Sequence, residues 1–396
     1  MLKVALVAWN AAHATSAGSE PGVMNREVFG LARALASQGS DVTIYARRDT
    51  AGQPARHRVA PRVLVRNLAA GPPGRLPAGE LSEHVAQFAD NLAASWRRDR
   101  PDVAHAYYWT GGLTALAASR NQHVPVVQTF FSLGAAEHRH QLPDRGPAGR
   151  IRLETSIARS VSAVLASSSE EAQELSALGV PNDTVRLVPF GVDTEQFTPH
   201  GPAQPRGQRP RLLAFGPFTR RQGLDTAVRA LAQVPRAELV ILGGPPGREL
   251  SSEPGYRALA GLAGSAGVRD RITFTGAVAP DKVPAWLRSA DLVLSMASHE
   301  PFGLATIQAM ACGVPVIASG VGANQDAVID GTTGALVRAG RPQLLARQVR
   351  ELLASSVRRG AMGAAAADRA RSRYSWFRIS QEALSAYRNL VPAAAG

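Results

Sequence analysis

The chain of 396 residues contains a single cysteine, Cys312. No intrachain disulfide can form, a reducing compartment fits, and metal sites built on paired cysteines are excluded. Lysine is nearly as scarce, with only Lys3 and Lys282. Lys3 opens an apolar stretch and Lys282 lies in a polar turn, so Schiff-base chemistry of the pyridoxal-phosphate kind has no candidate amine. Aromatic residues make up 6% of the chain, and no aromatic-interleaved basic patch occurs. The formal charge of +13 comes from scattered arginines, which points away from nucleic acid and toward anionic donors or anionic membranes. No apolar run approaches the roughly 18 residues of a membrane span, and the first one, Leu2 to Ala8, has no cleavage pattern. The expected location is the cytoplasm. Neither an Asp-x-Asp pair nor a His/Cys cluster appears, so no metal and no cofactor are expected.

What is present indicates a folded α/β protein. Hydrophobic residues make up 45% and charged residues 19%, and the length suits two domains of similar size. The most informative stretch runs from His299 to Ala318. An apolar run ending in Asp291-Leu292-Val293-Leu294-Ser295 reads as a strand, Gly303 to Ala311 as a helix, and Val314 to Ala318 as a second strand. Glu300 therefore falls in a loop before a helix start, at the carboxyl end of a parallel strand. Open α/β sheets bind ligands there, and free N–H groups of a helix start attract anions.

The run Glu300-Pro301-Phe302-Gly303-Leu304 resembles the donor signature of retaining glycosyltransferases of the GT-B fold, family four, whose members include mycothiol-pathway, sucrose-phosphate-synthase-like and antibiotic-pathway enzymes. The resemblance implies two Rossmann-like domains facing across a cleft, with a C-terminal helix crossing back to the first. It implies that Glu300 holds hydroxyls of the donor sugar and that the N–H groups of Phe302, Gly303 and Leu304 hold sugar and diphosphate. Thr306 would add a hydroxyl to the phosphate. The family's second glutamate, eight residues on, is here Gln308, a neutral amide facing the ribose.

Elsewhere the chain departs further from the family. Gly216-Pro217-Phe218-Thr219-Arg220-Arg221-Gln222-Gly223 stands where relatives carry an Arg and a Lys on the diphosphate, at the positions of Pro217 and Gln222. Arg220 and Arg221 are the candidate substitutes. Gly244 would lie at the phosphate edge, and the backbone near Ile272 would read the nucleobase. The segment His105-Ala106-Tyr107-Tyr108-Trp109 replaces a family histidine with Tyr107, and Phe131 replaces another. Tyr107 is thus a candidate catalytic residue beside Glu300, and Asn25, Trp109 and Phe131 are candidates for the acceptor. The glycine-rich turn before the first helix keeps only Gly22 of the family's pair, with Val23 beside it.

The expected domains are 1–197, a linker 198–210, 211–375, and a C-terminal helix 376–396. Residues Asp49 to Gly79 read as a surface loop around one short strand, Arg62 to Arg66. The expected activity is metal-independent, retaining transfer of a sugar from a UDP- or GDP-sugar, as co-substrate, to a small molecule, in antibiotic or similar biosynthesis. A non-catalytic nucleotide-sugar-binding relative is the alternative, and a homodimer is left open. A Rossmann dehydrogenase fits poorly, because the first strand lacks the full three-glycine fingerprint.

Overall fold

The protein, a computed structural model describing residues 1–9, 20–74, 76, 80–141 and 146–391, divides into two compact units. Of the described residues, the first takes in 1–9, those from Glu20 to Gly191 and the segment from Trp376, and the second takes in Val192–Ser375. The boundary thus falls between Gly191 and Val192, and the stretch Thr198 to Pro210 lies inside the second unit.

The first unit is built on strands β1 (Lys3–Val7), β2 (Asp41–Arg47), β3 (Arg56–Ala60), β4 (Val63–Leu68), β5 (Val103–Tyr107), β6 (Val126–Thr129), β7 (Ala163–Ala166) and β8 (Val185–Leu187). They form one sheet in the order β3-β4-β2-β1-β5-β6-β7-β8. Every neighbouring pair is parallel except β3 with β4. β1 is buried from Val4 to Val7, as a central strand covered on both faces must be. The order reverses between β1 and β5, which places Tyr107, the last residue of β5, at the topological switch point.

Two expectations for this unit need correction. The stretch from Asp49 holds a hairpin, β3 and β4, rather than one strand in a loop. β3 escapes a reading by hydrophobicity because it is an edge strand of Arg56, His57 and Arg58, the charged composition that protects an exposed edge. The turn expected at Gly22-Val23 lies inside the helix Glu20–Ser37, with Pro21 in its first turn. The preceding part of that loop, residues 13–19, lies outside the described residues.

The second unit carries β9 (Arg211–Phe215), β10 (Glu238–Leu242), β11 (Ile272–Gly276), β12 (Leu292–Ser295), β13 (Val316–Ser319) and β14 (Gly334–Val337). All pairs are parallel, in the order β11-β10-β9-β12-β13-β14. This is the doubly wound order, reversing between β9 and β12. Apolar side chains of Leu212, Ala214, Leu239, Ile241, Leu292 and Leu294 pack on one face, and those of Leu213, Val240 and Val293 on the other.

The helix Trp376–Arg388 packs on the helix Glu20–Ser37 within the first unit. Its Tyr387 hydroxyl lies 2.7 Å from His105 Nδ1, and His105 Nε2 lies 2.9 Å from Thr129 Oγ1. Thr129 donates its proton to the Leu165 carbonyl. The consistent assignment has Nε2–H donating to Thr129 and Tyr387 donating to Nδ1. Burial pushes the imidazole down to about 3, so it is neutral.

Nearby, Glu27 is 7% exposed and accepts the Gly191 N–H at 3.4 Å. Burial pushes its carboxyl up to about 8, only partly opposed by that N–H. The folded state therefore holds a proton that the unfolded chain has released, and this contribution to stability is lost as pH rises from about 5 to above 8. Replacing Glu27 by Gln should remove that loss, on the order of 3–5 kcal/mol at pH 9. Denaturant titrations of both proteins from pH 5 to 9 check it; parallel curves would refute it.

Candidate active site

In the second unit the switch point is bounded by Gly216, just after β9, and by the loop that leaves β12. Gly216 has φ +131°, and its carbonyl oxygen would be 2.5 Å from a Cβ at Gly243. Two backbones touch there, at the carboxyl edge, and side chains are excluded from both. Gly244 follows, against the ring of Phe218. The Gln222 side chain lies against Gly216.

The turn Arg220–Gln222 is bonded to the loop before Glu300: Ser298 donates its N–H to the Arg221 carbonyl at 2.8 Å. Arg220 is exposed, whereas Arg221 is half-buried and close enough to lower the Glu300 carboxyl. Of the two candidate substitutes for the missing cations, the fold thus brings Arg221 to Glu300.

Glu300 is half-buried, and its Oε1 accepts the N–H of Gly303 at 3.0 Å and that of Phe302 at 3.4 Å. Burial holds its carboxyl above the ordinary range, opposed by those two N–H groups and by Arg221. Two of the three N–H groups expected on sugar and diphosphate are therefore turned onto Glu300 itself, so the carboxylate caps the start of helix Leu304–Ala311. Leu304 is the first residue of that helix, and Gln308 lies one turn further on, buried.

Thr306 does not reach toward a phosphate. It is 1% exposed, and its hydroxyl donates to Asn324 Oδ1 at 2.6 Å. Ile272 is also misplaced by the sequence reading, because it begins β11 and so stands at the amino edge of the sheet. Gly276 ends the same strand roughly 13 Å away on the ligand-binding edge. Arg271 is occupied at the amino edge, donating to the carbonyls of Leu231, Val234 and Ala237.

In the first unit, Tyr107 is 1% exposed and stacks on His105, with centroids 4.3 Å apart, and on Phe131 at 5.4 Å. Burial drives its phenol well above its ordinary range, so it stays protonated. Phe131 also meets Phe190 edge-on and adopts φ +65°. Tyr108 has φ +62°. Bulky residues avoid the left-handed region, so the backbone is strained just after β5 and just after β6. Trp109, expected at the acceptor, is instead fully buried in the core with Phe88, Leu92 and Trp96. Asn25 is 5% exposed on the helix Glu20–Ser37, with Gly22 earlier in that helix. The structure thus groups Tyr107 with Phe131 in one unit, and Glu300, Arg221, Gln222, Gly216, Phe302, Gly303 and Leu304 in the other.

Sequence reading did not single out Asn324, Ser295 or Ser298 as site residues. Their partners are 18 or more residues away, and no local spacing announces them.

The chain as a whole is similar to known glycosyltransferases. Residues 22–191 match the family model described as glycosyl transferase 4-like domain, and residues 199–369 match glycosyl transferases group 1. A D-inositol 3-phosphate glycosyltransferase of Xylanimonas cellulosilytica is 33% identical over 389 residues, covering 93% of this chain and 92% of that protein. The enzyme of the same name from Mycobacterium marinum is 31% identical, covering 98% and 86%. Among solved structures, sucrose-phosphate synthase from Thermosynechococcus elongatus superposes with a TM-score of 0.86 at 28% identity, covering 98% of this chain and 99% of that one. HepE of Anabaena, solved with UDP, shares the fold with a TM-score of 0.75 at 18% identity, covering 98% of this chain and 100% of that one. The chain therefore belongs to the GT-B glycosyltransferases of family four.

Proposed function

We propose that this glycosyltransferase moves a sugar from a UDP- or GDP-linked donor to a small hydroxylated acceptor, with retention of anomeric configuration and without a metal ion. The observation that carries the reading is the grouping of Glu300, Arg221 and the start of helix Leu304–Ala311 at the switch point of the second unit. A sugar hydroxyl would donate to the Glu300 carboxylate, and the diphosphate would lie toward Arg221 and the turns at Gly216 and Gly244. As the bond from the anomeric carbon to the diphosphate breaks, Arg221 meets the charge left on the phosphate, with Arg220 able to join from the surface. The departing phosphate oxygen takes the acceptor's proton while the new bond forms on the same face, so no separate strong base is required.

Support for the donor class comes from HepE, which was solved with UDP. Support for a polyol-like acceptor comes from the relatives' name, D-inositol 3-phosphate glycosyltransferase. The stacked and buried Tyr107 and Phe131, where the family carries histidines, take two imidazoles away from the carboxyl edge of the first unit's sheet, a departure that fits an atypical acceptor such as an antibiotic or other secondary-metabolite intermediate. One observation favours the alternative, a non-catalytic binding relative: the N–H groups of Phe302 and Gly303 are already bonded to Glu300.

A thermal-shift panel with UDP, GDP, ADP and TDP tests the reading. At about 100 times its Kd a bound nucleotide adds about 2.7 kcal/mol, a rise of roughly 5–11 °C for a unit of this size. One nucleotide is expected to stand out, and its sugar conjugates then serve in acceptor screens with the linkage read by NMR coupling constants. No shift with any of the four would overturn the donor-site assignment.

A further inference from the structure

At the carboxyl edge of the second unit, a buried polar pair joins segments that are distant in sequence. Asn324 is fully buried at the second position of the helix Ala323–Ala327. Its Oδ1 accepts the Thr306 hydroxyl at 2.6 Å, and its Nδ2 donates to Ser295 Oγ at 3.1 Å. Ser295 is the last residue of β12, and Thr306 is the third residue of helix Leu304–Ala311. One residue earlier, the Ala323 N–H donates to the Glu300 carbonyl at 2.8 Å. The end of β13 joins the same lattice, since Ser319 Oγ donates to the Ala297 carbonyl.

The chain between Ser295 and Thr306 is thus held from outside where it leaves β12, at Ala297, at Ser298, at the Glu300 backbone, and in the first turn of the helix. Gly303, at φ +64°, passes close to Ala323, whose Cβ would be 3.1 Å from a Cβ added at Gly303. A loop of this length between two fixed ends still has freedom to move a carboxylate by the ångström that decides a contact. A pair of apolar side chains would fill the same space without choosing an orientation. A short hydrogen bond in a dry interior does choose one, and a buried donor left unmet carries a penalty.

We infer that Asn324 and Thr306 are positioning residues, which set Glu300 and the first turn of helix Leu304–Ala311 in register for the donor. The inference rests on the donor site proposed above. It gives Thr306 a role its sequence position did not suggest: its proton is committed to Asn324, so it acts on the donor through the helix rather than by touching phosphate.

The test compares the wild type with Thr306→Val, Thr306→Ser and Asn324→Ala. UDP and GDP serve as calorimetric probes, and hydrogen exchange follows the amides of Phe302–Leu304. Thr306→Val keeps the shape and removes the hydroxyl, and is expected to weaken binding of the preferred nucleotide at least tenfold and to speed exchange of those amides. Thr306→Ser restores the hydroxyl and is expected to stay within about twofold of wild type in both readouts. Asn324→Ala should match or exceed the Val variant; should it fail to fold, the Thr306 pair decides alone. A Val variant that loses thermal stability yet binds and exchanges as wild type does would overturn the inference, since the pair would then serve packing only. A wild type that binds neither nucleotide would instead overturn the donor-site reading, and amide exchange in the Val and Ser variants would still decide whether the pair orders the loop.

Discussion

Replacing Arg150 by Met is expected to destabilise the first unit by about 3–5 kcal/mol, a large part of the stability of an ordinary domain. Arg150 is buried, with its side chain 1% exposed, and every arm of its guanidinium is used. Nε donates to Glu154 Oε1 at 2.6 Å, Nη1 to Glu137 Oε2 at 2.7 Å, and Nη2 to the Ser132 carbonyl at 2.9 Å. The two carboxylates are bonded in turn: Ser132 Oγ donates to Glu137 Oε1 and the Gly134 N–H donates to Glu154 Oε2, both at 2.7 Å. The guanidinium also lies 5.2 Å from the Tyr108 ring centroid. It therefore touches Tyr108, itself at positive φ, and Ser132, the neighbour of Phe131, which is also at positive φ.

Met fills the volume of the Arg150 side chain but leaves two buried carboxylates without their cation. Burial already pushes Glu154 up to about 7 despite Arg150. Without the cation Glu154 would have to be protonated to stay inside, so the loss should be larger at pH 8 than at pH 5. Lys at the same position keeps the charge but loses the planar fork, and an intermediate loss is expected. Denaturant unfolding at the two pH values measures all three proteins. A Met variant within 1 kcal/mol of wild type at pH 8 would show that the cluster contributes little beyond packing. The Tyr107–Phe131 stack should loosen with the cluster, visible as a change in near-ultraviolet circular dichroism.

The framework was legible in the sequence where local pattern and global fold agree. Apolar runs located β1, β12 and β13 to within two residues. Helix Ser169–Ala177 is likewise capped by the residue beside it: Ser168 Oγ accepts the Glu171 N–H. The position of Glu300 followed from strand, loop and helix order alone. What escaped depends on contacts distant in sequence or on an edge. β3 is polar because it borders solvent, Trp109 is core because its helix folds back onto the sheet, and Ile272 was put at the wrong end of a strand because direction relative to the ligand edge is a property of topology. Thr306 looked like a phosphate contact from its place in a first helical turn, and only Asn324, brought in from beyond β13, shows where its proton goes.

Changing Glu300 to Gln is expected to lower kcat/KM by on the order of 30- to 1,000-fold while leaving nucleotide affinity within about threefold. The substitution preserves shape, and an amide oxygen can still accept the N–H groups of Phe302 and Gly303, so the helix start should remain capped. What disappears is the charge. A carboxylate within about 4 Å of the sugar interacts with positive charge developing at the anomeric carbon by a few kcal/mol at the effective dielectric of a partly exposed site. A loss of 2–4 kcal/mol from the transition state accounts for the expected range. The nucleotide, bound through Arg221 and backbone groups, should not register the change, which distinguishes loss of the sugar contact from collapse of the site. Glu300→Ala removes cap and charge together, and should add faster exchange of the Phe302 and Gly303 amides to the same kinetic loss. The carboxyl is held above its ordinary range by burial, so the acid limb of the wild-type rate profile should lie above that of an exposed glutamate. The Gln variant should lack that limb. Turnover by Glu300→Gln within threefold of wild type would mean that Glu300 serves the helix and not the sugar, and catalysis would then have to be sought among groups outside the Glu300 loop.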